Sequence, residues 1–182
     1  LARCALFAAD LSGDYDLIDR ACGYIRTVEP NFRNQAAAYL LSPPRTPLCR
    51  ETLIKLLSDG SQDTRMAAYK ALKGLKLTDD EYRIIETYYR FKAADLRGFV
   101  TEFMEKQSDE ALSGTIGRLL DDKKEDVRCA GLDLLAHREA VSDKKPLTGQ
   151  HIDRLRALVS ADSVSAREKA LLDKLRDELG DV

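Results

Sequence analysis

Glu125-Asp126-Val127-Arg128-Cys129-Ala130-Gly131-Leu132-Asp133-Leu134-Leu135 decides how this sequence is read. It opens with two acids, a Val and an Arg, then places small and large apolar residues at helical spacing. The opening recurs as Asn31-Phe32-Arg33, Asp63-Thr64-Arg65 and Asp95-Leu96-Arg97. The four arginines are 32, 32 and 31 residues apart. Three residues beyond each Arg stands Ala36, Ala68, Val100 or Gly131. Seven beyond stands Leu40, Leu72, Met104 or Leu135. Offsets of three, four and seven fall on one face of an α-helix. A constant period of this size marks a repeat array. Weaker copies begin at Arg3, with Leu6 and Phe7, and at Arg167, with Ala170, Leu171 and Leu175.

Between the copies runs a second helical pattern: Leu17, Ile18, Cys22 and Ile25; Leu53, Ile54 and Leu57; Tyr82, Ile84, Ile85, Tyr88 and Tyr89; Leu112, Ile116, Leu119 and Leu120; Ile152, Leu155, Leu158 and Val159. Start signals agree. Thr46-Pro47 sets a capping hydroxyl before a first-turn proline. Thr78 through Glu81 reads as a capping box. Ser108, Thr148 and Ser163 are further cap candidates. The expected helices are 2–11, 14–27, 31–42, 47–58, 62–75, 79–92, 94–106, 109–121, 125–138, 149–160 and 163–179, with no strand. Arg138 to Pro146, containing Lys144-Lys145-Pro146, reads as a polar insertion before the last pair.

These phrases resemble the HEAT repeat, whose second helix opens with an Asp-x-x-Val-Arg-like phrase followed by Ala and Leu. The resemblance spans nearly the whole chain. It implies an all-α, right-handed α-α superhelix (solenoid) of about five antiparallel helix pairs plus one leading helix. One pair cannot bury both its faces, so neighbouring pairs must stack. Residues 1–182 form a single domain on this reading, and the start at Leu1 suggests a fragment of a longer chain. An acid at a helix start complements the partial positive charge there, and the Arg after it can reach the acid of a neighbouring repeat. The resemblance implies the same structural ladder for Asp63, Arg65, Asp95, Arg97, Asp126 and Arg128.

The function classes narrow by exclusion. The 182 residues are 44% hydrophobic and 33% charged, with 29 basic and 31 acidic side chains and a formal net charge of −2. Nucleic-acid binders draw affinity from a basic excess that this chain lacks. No apolar run reaches the roughly 18 residues of a membrane span. Phosphate-loop, dinucleotide-loop and H-E-x-x-H motifs are absent. Cys4, Cys22, Cys49 and Cys129 have no zinc-finger spacing and read as reduced, buried thiols suited to a cytoplasmic protein. His137 and His151 read as surface residues. No catalytic, cofactor or metal residue is assigned.

The expected role is therefore a non-catalytic protein–protein interaction scaffold whose partner is another protein or peptide. In such solenoids the second helices line a concave wall. Its candidate partner-binding residues are Asn34, Gln35, Met66, Lys70, Lys73, Glu102, Asp133 and Lys169. Six aromatics between Tyr82 and Phe103 suggest a thick local core, with Tyr82 or Phe91 as an exposed anchor. The alternative is a nucleic-acid or DNA-repair module, since some DNA glycosylases are similar HEAT-like solenoids. A third reading is a helper domain that positions a separate catalytic module. Open terminal repeats, exposing Leu6 and Phe7 or Leu175 and Leu179, would permit end-to-end self-association.

Overall fold

The computed structural model describes Ala8 and residues 15–140, 147–161 and 164–175. Ten helices are described: α1 (Tyr15–Tyr24), α2 (Pro30–Gln35), α3 (Pro47–Leu56), α4 (Gln62–Leu72), α5 (Asp79–Glu86), α6 (Ala94–Met104), α7 (Asp109–Leu120), α8 (Glu125–Ala140), α9 (Ile152–Val159) and α10 (Ala166–Lys174). Among the described residues there is no strand. Of the expected 2–11 helix, only Ala8 is described. Arg3, Leu6, Phe7, Lys144, Lys145, Pro146, Ser163 and Leu179 lie outside the described residues.

The caps follow the chemistry of the sequence. Thr46 accepts from the Cys49 amide at the head of α3. Thr78 and Glu81 cap α5 reciprocally, and Ser108 accepts from the Ala111 amide at α7. The last helix starts later than expected. Ser165 caps α10 in a second reciprocal box with Glu168. Thr148 is no cap: it opens a short 3-10 turn, and its hydroxyl donates to Glu139 Oε1 at 2.6 Å.

Several expected helices change pitch before they end. α1 continues as a 3-10 turn through Ile25–Thr27, α5 as one through Thr87–Arg90, and α2 as a π-turn through Ala36–Leu40. In α5 the tightened turn moves the apolar arc. Ile85, Tyr88 and Tyr89 are buried, but Ile84 is 44% exposed. Tyr88 is anchored by donating its hydroxyl to Ile54 O at 3.1 Å. Arg138 and the two residues after it belong to α8, not to an insertion. Arg138 is buried and ion-paired with Asp109.

The helices form two compact units, residues 1–99 and 100–182. In the first, α3 packs on α4, α1 on α3, α3 on α5, and α2 on α4. In the second, α7 packs on α8, α8 on α10, and α9 on α10. Some of these contacts join the two members of a pair (α3–α4, α7–α8, α9–α10), and others join equivalent helices of successive pairs (α1–α3, α3–α5, α2–α4, α8–α10). The repeated apolar positions fill these contacts. Ala36, Ala68, Val100, Leu72, Met104 and Leu135 are at most 3% exposed, and burying a Leu or Met side chain contributes about 1.5–3 kcal/mol. Gly131 lets α7 and α8 approach closely: a Cβ there would stand 3.0 Å from Leu119 Cβ and 3.2 Å from Leu120 Cδ2. Leu175 is buried, so the last described helix does not present it as an open apolar end.

Candidate functional site

The second helices of the first two pairs, α2 and α4, flank an open cleft of 360 Å³. Its wall brings together Asn34 and Ala38 from α2 and its continuation, and Asp63, Met66, Lys70 and Ala71 from α4. The spacing of Asp63, Met66 and Lys70 explains their convergence, because offsets of three and four share one helix face. Ser42 and Ala67 complete the lining. A carboxylate, an ammonium and an amide offer both signs of charge and both senses of hydrogen bond.

Three expected partner-binding residues, Asn34, Met66 and Lys70, therefore meet in one place. Asp63, expected to be structural, joins them as an exposed wall residue. Gln35 is exposed but does not line the cleft. Lys73 sits with Nζ 5.3 Å from the centre of the Tyr69 ring, which stacks on Phe99 at 4.3 Å. In the second unit Asp133 and Lys169 are exposed and Glu102 is half-buried. Phe91 is 47% exposed, with an edge contact to Tyr88 at 5.8 Å.

The recurring arginines have a role that spacing alone did not reveal. Arg65 donates Nη1 to Asp59 O and Gly60 O, at 2.8 and 3.2 Å. Arg128 does the same to Asp122 O and Lys123 O, at 3.2 and 2.9 Å. Arg33 donates to Val28 O, and Arg97 to Phe91 O. Each Arg thus ties the turn that precedes its own helix, five or six residues back. Carbonyls at a helix end carry partial negative charge and lack helical partners, which is why a cation is favoured there.

Three of these arginines also reach an acid further along the chain. Arg65 forks onto Asp95 at 2.8 and 2.9 Å. That contact holds the Asp95 carboxyl below its ordinary range. Arg128 meets Glu168 at 2.6 Å, and Arg33 meets Asp59 at 2.8 Å, not Asp63. Burial opposes ionisation of Glu168, but Arg128 and the Ser165 amide outweigh it and lower its pKa. Asp126 pairs with Arg167 at 3.1 Å, with both side chains about half exposed. A separate rung joins first helices: Arg50 of α3 forks onto Glu81 of α5, one arm at 2.8 Å.

Two clusters carry more reactive groups. Cys22 and Cys49 are buried and free. The Cys22 thiol donates to the Cys49 sulfur at 3.9 Å. That contact raises the Cys22 pKa and lowers that of Cys49 to about 6, against the effect of burial. Asp19 stands beside them, and its Oδ1 accepts the Thr46 hydroxyl at 2.5 Å. Sequence gave no signal for this meeting, because the two cysteines are 27 residues apart on different helices.

His151 is the second case, and it corrects the expectation of a surface residue. It is only 4% exposed. Its Nε2 lies 3.1 Å from Ser113 Oγ, which is 2.6 Å from Gln150 Oε1. The Ser113 hydroxyl thus stands between Gln150 and the imidazole, and the ring tautomer sets which of Ser113 and His151 donates. Burial, then the nearby Arg154, favours the neutral ring. His137 is surface-exposed beside Glu105.

Residues 1–181 match a family described as a family of unknown function, DUF5724. The chain belongs to that family. No curated protein matches the chain. No solved structure matches it. Among the described residues no helix is long and apolar enough to cross a membrane.

Proposed function

We propose that this DUF5724 chain is a HEAT-like solenoid segment that acts in the cytoplasm without catalysis, docking a polar segment of a partner protein in the α2–α4 cleft. The cleft itself carries the reading. At 360 Å³ it lies at the small end of ligand sites, which run about 300–1,000 Å³. Its wall mixes Asp63, Lys70 and Asn34 with Met66 and alanines. An extended peptide offers amides for Asn34, charged ends for Asp63 and Lys70, and one apolar side chain for Met66. A small apolar ligand would leave those polar groups unpaired, at a cost. The arrangement of helices inside each unit, partner and next-but-one neighbour, supports the HEAT-like stacking. Three buried, free thiols support a reducing compartment.

The test is peptide selection from a displayed random library against the intact chain. Binders should lose at least about tenfold in affinity to Ala38→Arg, which fills the cleft, and to Lys70→Glu, which reverses its charge. Lys169→Glu, on α10, should leave binding unchanged. Selected peptides indifferent to Ala38→Arg and Lys70→Glu would refute the site. Retention of single-stranded nucleic acid at low salt, lost in Lys70→Glu, would replace it with the nucleic-acid reading.

A further inference from the structure

Asp19 and Cys22 are three residues apart on α1, so both side chains leave the same face. Cys49 faces them from the first turn of α3. One ligand atom from each of the three lies within 4.8 Å of the other two. Two thiolates with one carboxylate make a donor set that suits a borderline-soft divalent ion.

The sulfur spacing suits a shared metal ion without rearrangement. Two Zn–S bonds of about 2.3 Å at a tetrahedral angle place their sulfurs roughly 3.8 Å apart. Cys22 Sγ and Cys49 Sγ are 3.9 Å apart. A disulfide would bring them to about 2.0 Å and would leave Asp19 with no part in the site. The surroundings are ordered as metal sites require. The Cys49 amide donates to Thr46 Oγ at 3.1 Å, so the Thr46 hydroxyl proton is directed to Asp19 Oδ1. That bond orients the carboxylate and leaves its other oxygen for a ligand bond, the part a second partner plays behind a metal-binding acid. Of the three, Cys22 also lines a 220 Å³ cleft beside α1 and α3, whose wall includes Thr52, Leu48, Arg26 and Lys55.

We propose that Asp19, Cys22 and Cys49 form a three-ligand site for a zinc-class divalent ion, with a fourth position left to water or an exchangeable ligand. Binding replaces the two thiol protons, which leave to solvent, by two metal–sulfur bonds. Three protein ligands and one open position are the pattern of sites that hold water or an exchangeable ligand.

The probe is Co²⁺, titrated into the intact, reduced, chelator-stripped chain and then displaced by Zn²⁺. The expected result is one Co²⁺ per chain, a thiolate-to-cobalt charge-transfer band, and visible bands of tetrahedral strength that Zn²⁺ abolishes at one equivalent. Cys22→Ser and Cys49→Ser should each weaken the charge-transfer band. The double variant should lose it, while Cys129→Ser and Cys4→Ser keep it. Asp19→Asn, on a half-buried side chain, avoids disturbing the core and should weaken Zn²⁺ binding at least about tenfold. Thr46→Val should weaken it about 10–100-fold, with Thr46→Ser restoring it. Cobalt bound without thiolate character overturns the proposal. So does a band that survives in the Cys22→Ser/Cys49→Ser chain, or a reduced chain that takes up no Co²⁺ yet oxidises with peroxide to a Cys22–Cys49 disulfide.

Discussion

Removing the Arg65 side chain tests how the repeats are joined. Its side chain is 10% exposed, and that of Asp95 is 20% exposed. Arg65→Ala deletes a two-armed ion pair and the donor to Asp59 O and Gly60 O. Breaking a fully buried pair costs about 3–5 kcal/mol because one charge is stranded; an exposed pair is worth about 0–1. Asp95 retains some water, so the expected loss is about 2–3 kcal/mol, between those limits. Arg65→Lys keeps the charge but not the fork and should lose about 1–2 kcal/mol. Acid provides an independent readout. Arg65 depresses the Asp95 pKa in the folded chain. Its stabilisation is therefore complete above the unfolded carboxyl value of about 3.9 and is lost as pH falls through the lower folded value. Arg65→Ala removes the depression, so stability should fall less steeply below about pH 4 than in the parent. Urea unfolding followed by far-ultraviolet circular dichroism, at neutral pH and through the acid limb, measures both quantities. A loss under about 0.5 kcal/mol with an unchanged acid limb would refute the reasoning and make the pair decorative.

Other substitutions probe separate contacts. Gly131→Val should destabilise by about 1–3 kcal/mol through overpacking against Leu119 and Leu120. Gly98→Ala, in a helix with open space around it, should stabilise by about 0.5–1 kcal/mol; thermal unfolding compares the two. Ser165→Ala removes the α10 cap and should cost about 1 kcal/mol in the same assay. Tyr88→Phe deletes the hydroxyl bond to Ile54 O, which keeps the Leu57 amide as a donor, and should cost about 0.5–1.5 kcal/mol.

The described helices and most of their caps were legible because helical period, Thr and Ser caps, and the recurring Arg are local signals. Boundaries slipped where the last turn tightened to 3-10 or widened to π pitch. The 3-10 turn at Thr87–Arg90 and the π-turn at Ala36–Leu40 have no sequence mark that periodicity can detect. The cleft was half legible. Helical phase grouped Asn34, Met66 and Lys70, but the family resemblance assigned Asp63 to the ladder, and no sequence signal showed that Asp59 would take Arg33. The buried state of His151 and the meeting of Asp19, Cys22 and Cys49 depend on which helices face one another, and no local spacing encodes that.

The most direct measurement is site-specific photocrosslinking from Ala38 on the cleft wall, in cells that make the protein. The account predicts a discrete crosslinked polypeptide that disappears when Lys70 is changed to Glu and persists when Lys169 is. A crosslink to nucleic acid, or one unaffected by Lys70→Glu, would contradict it.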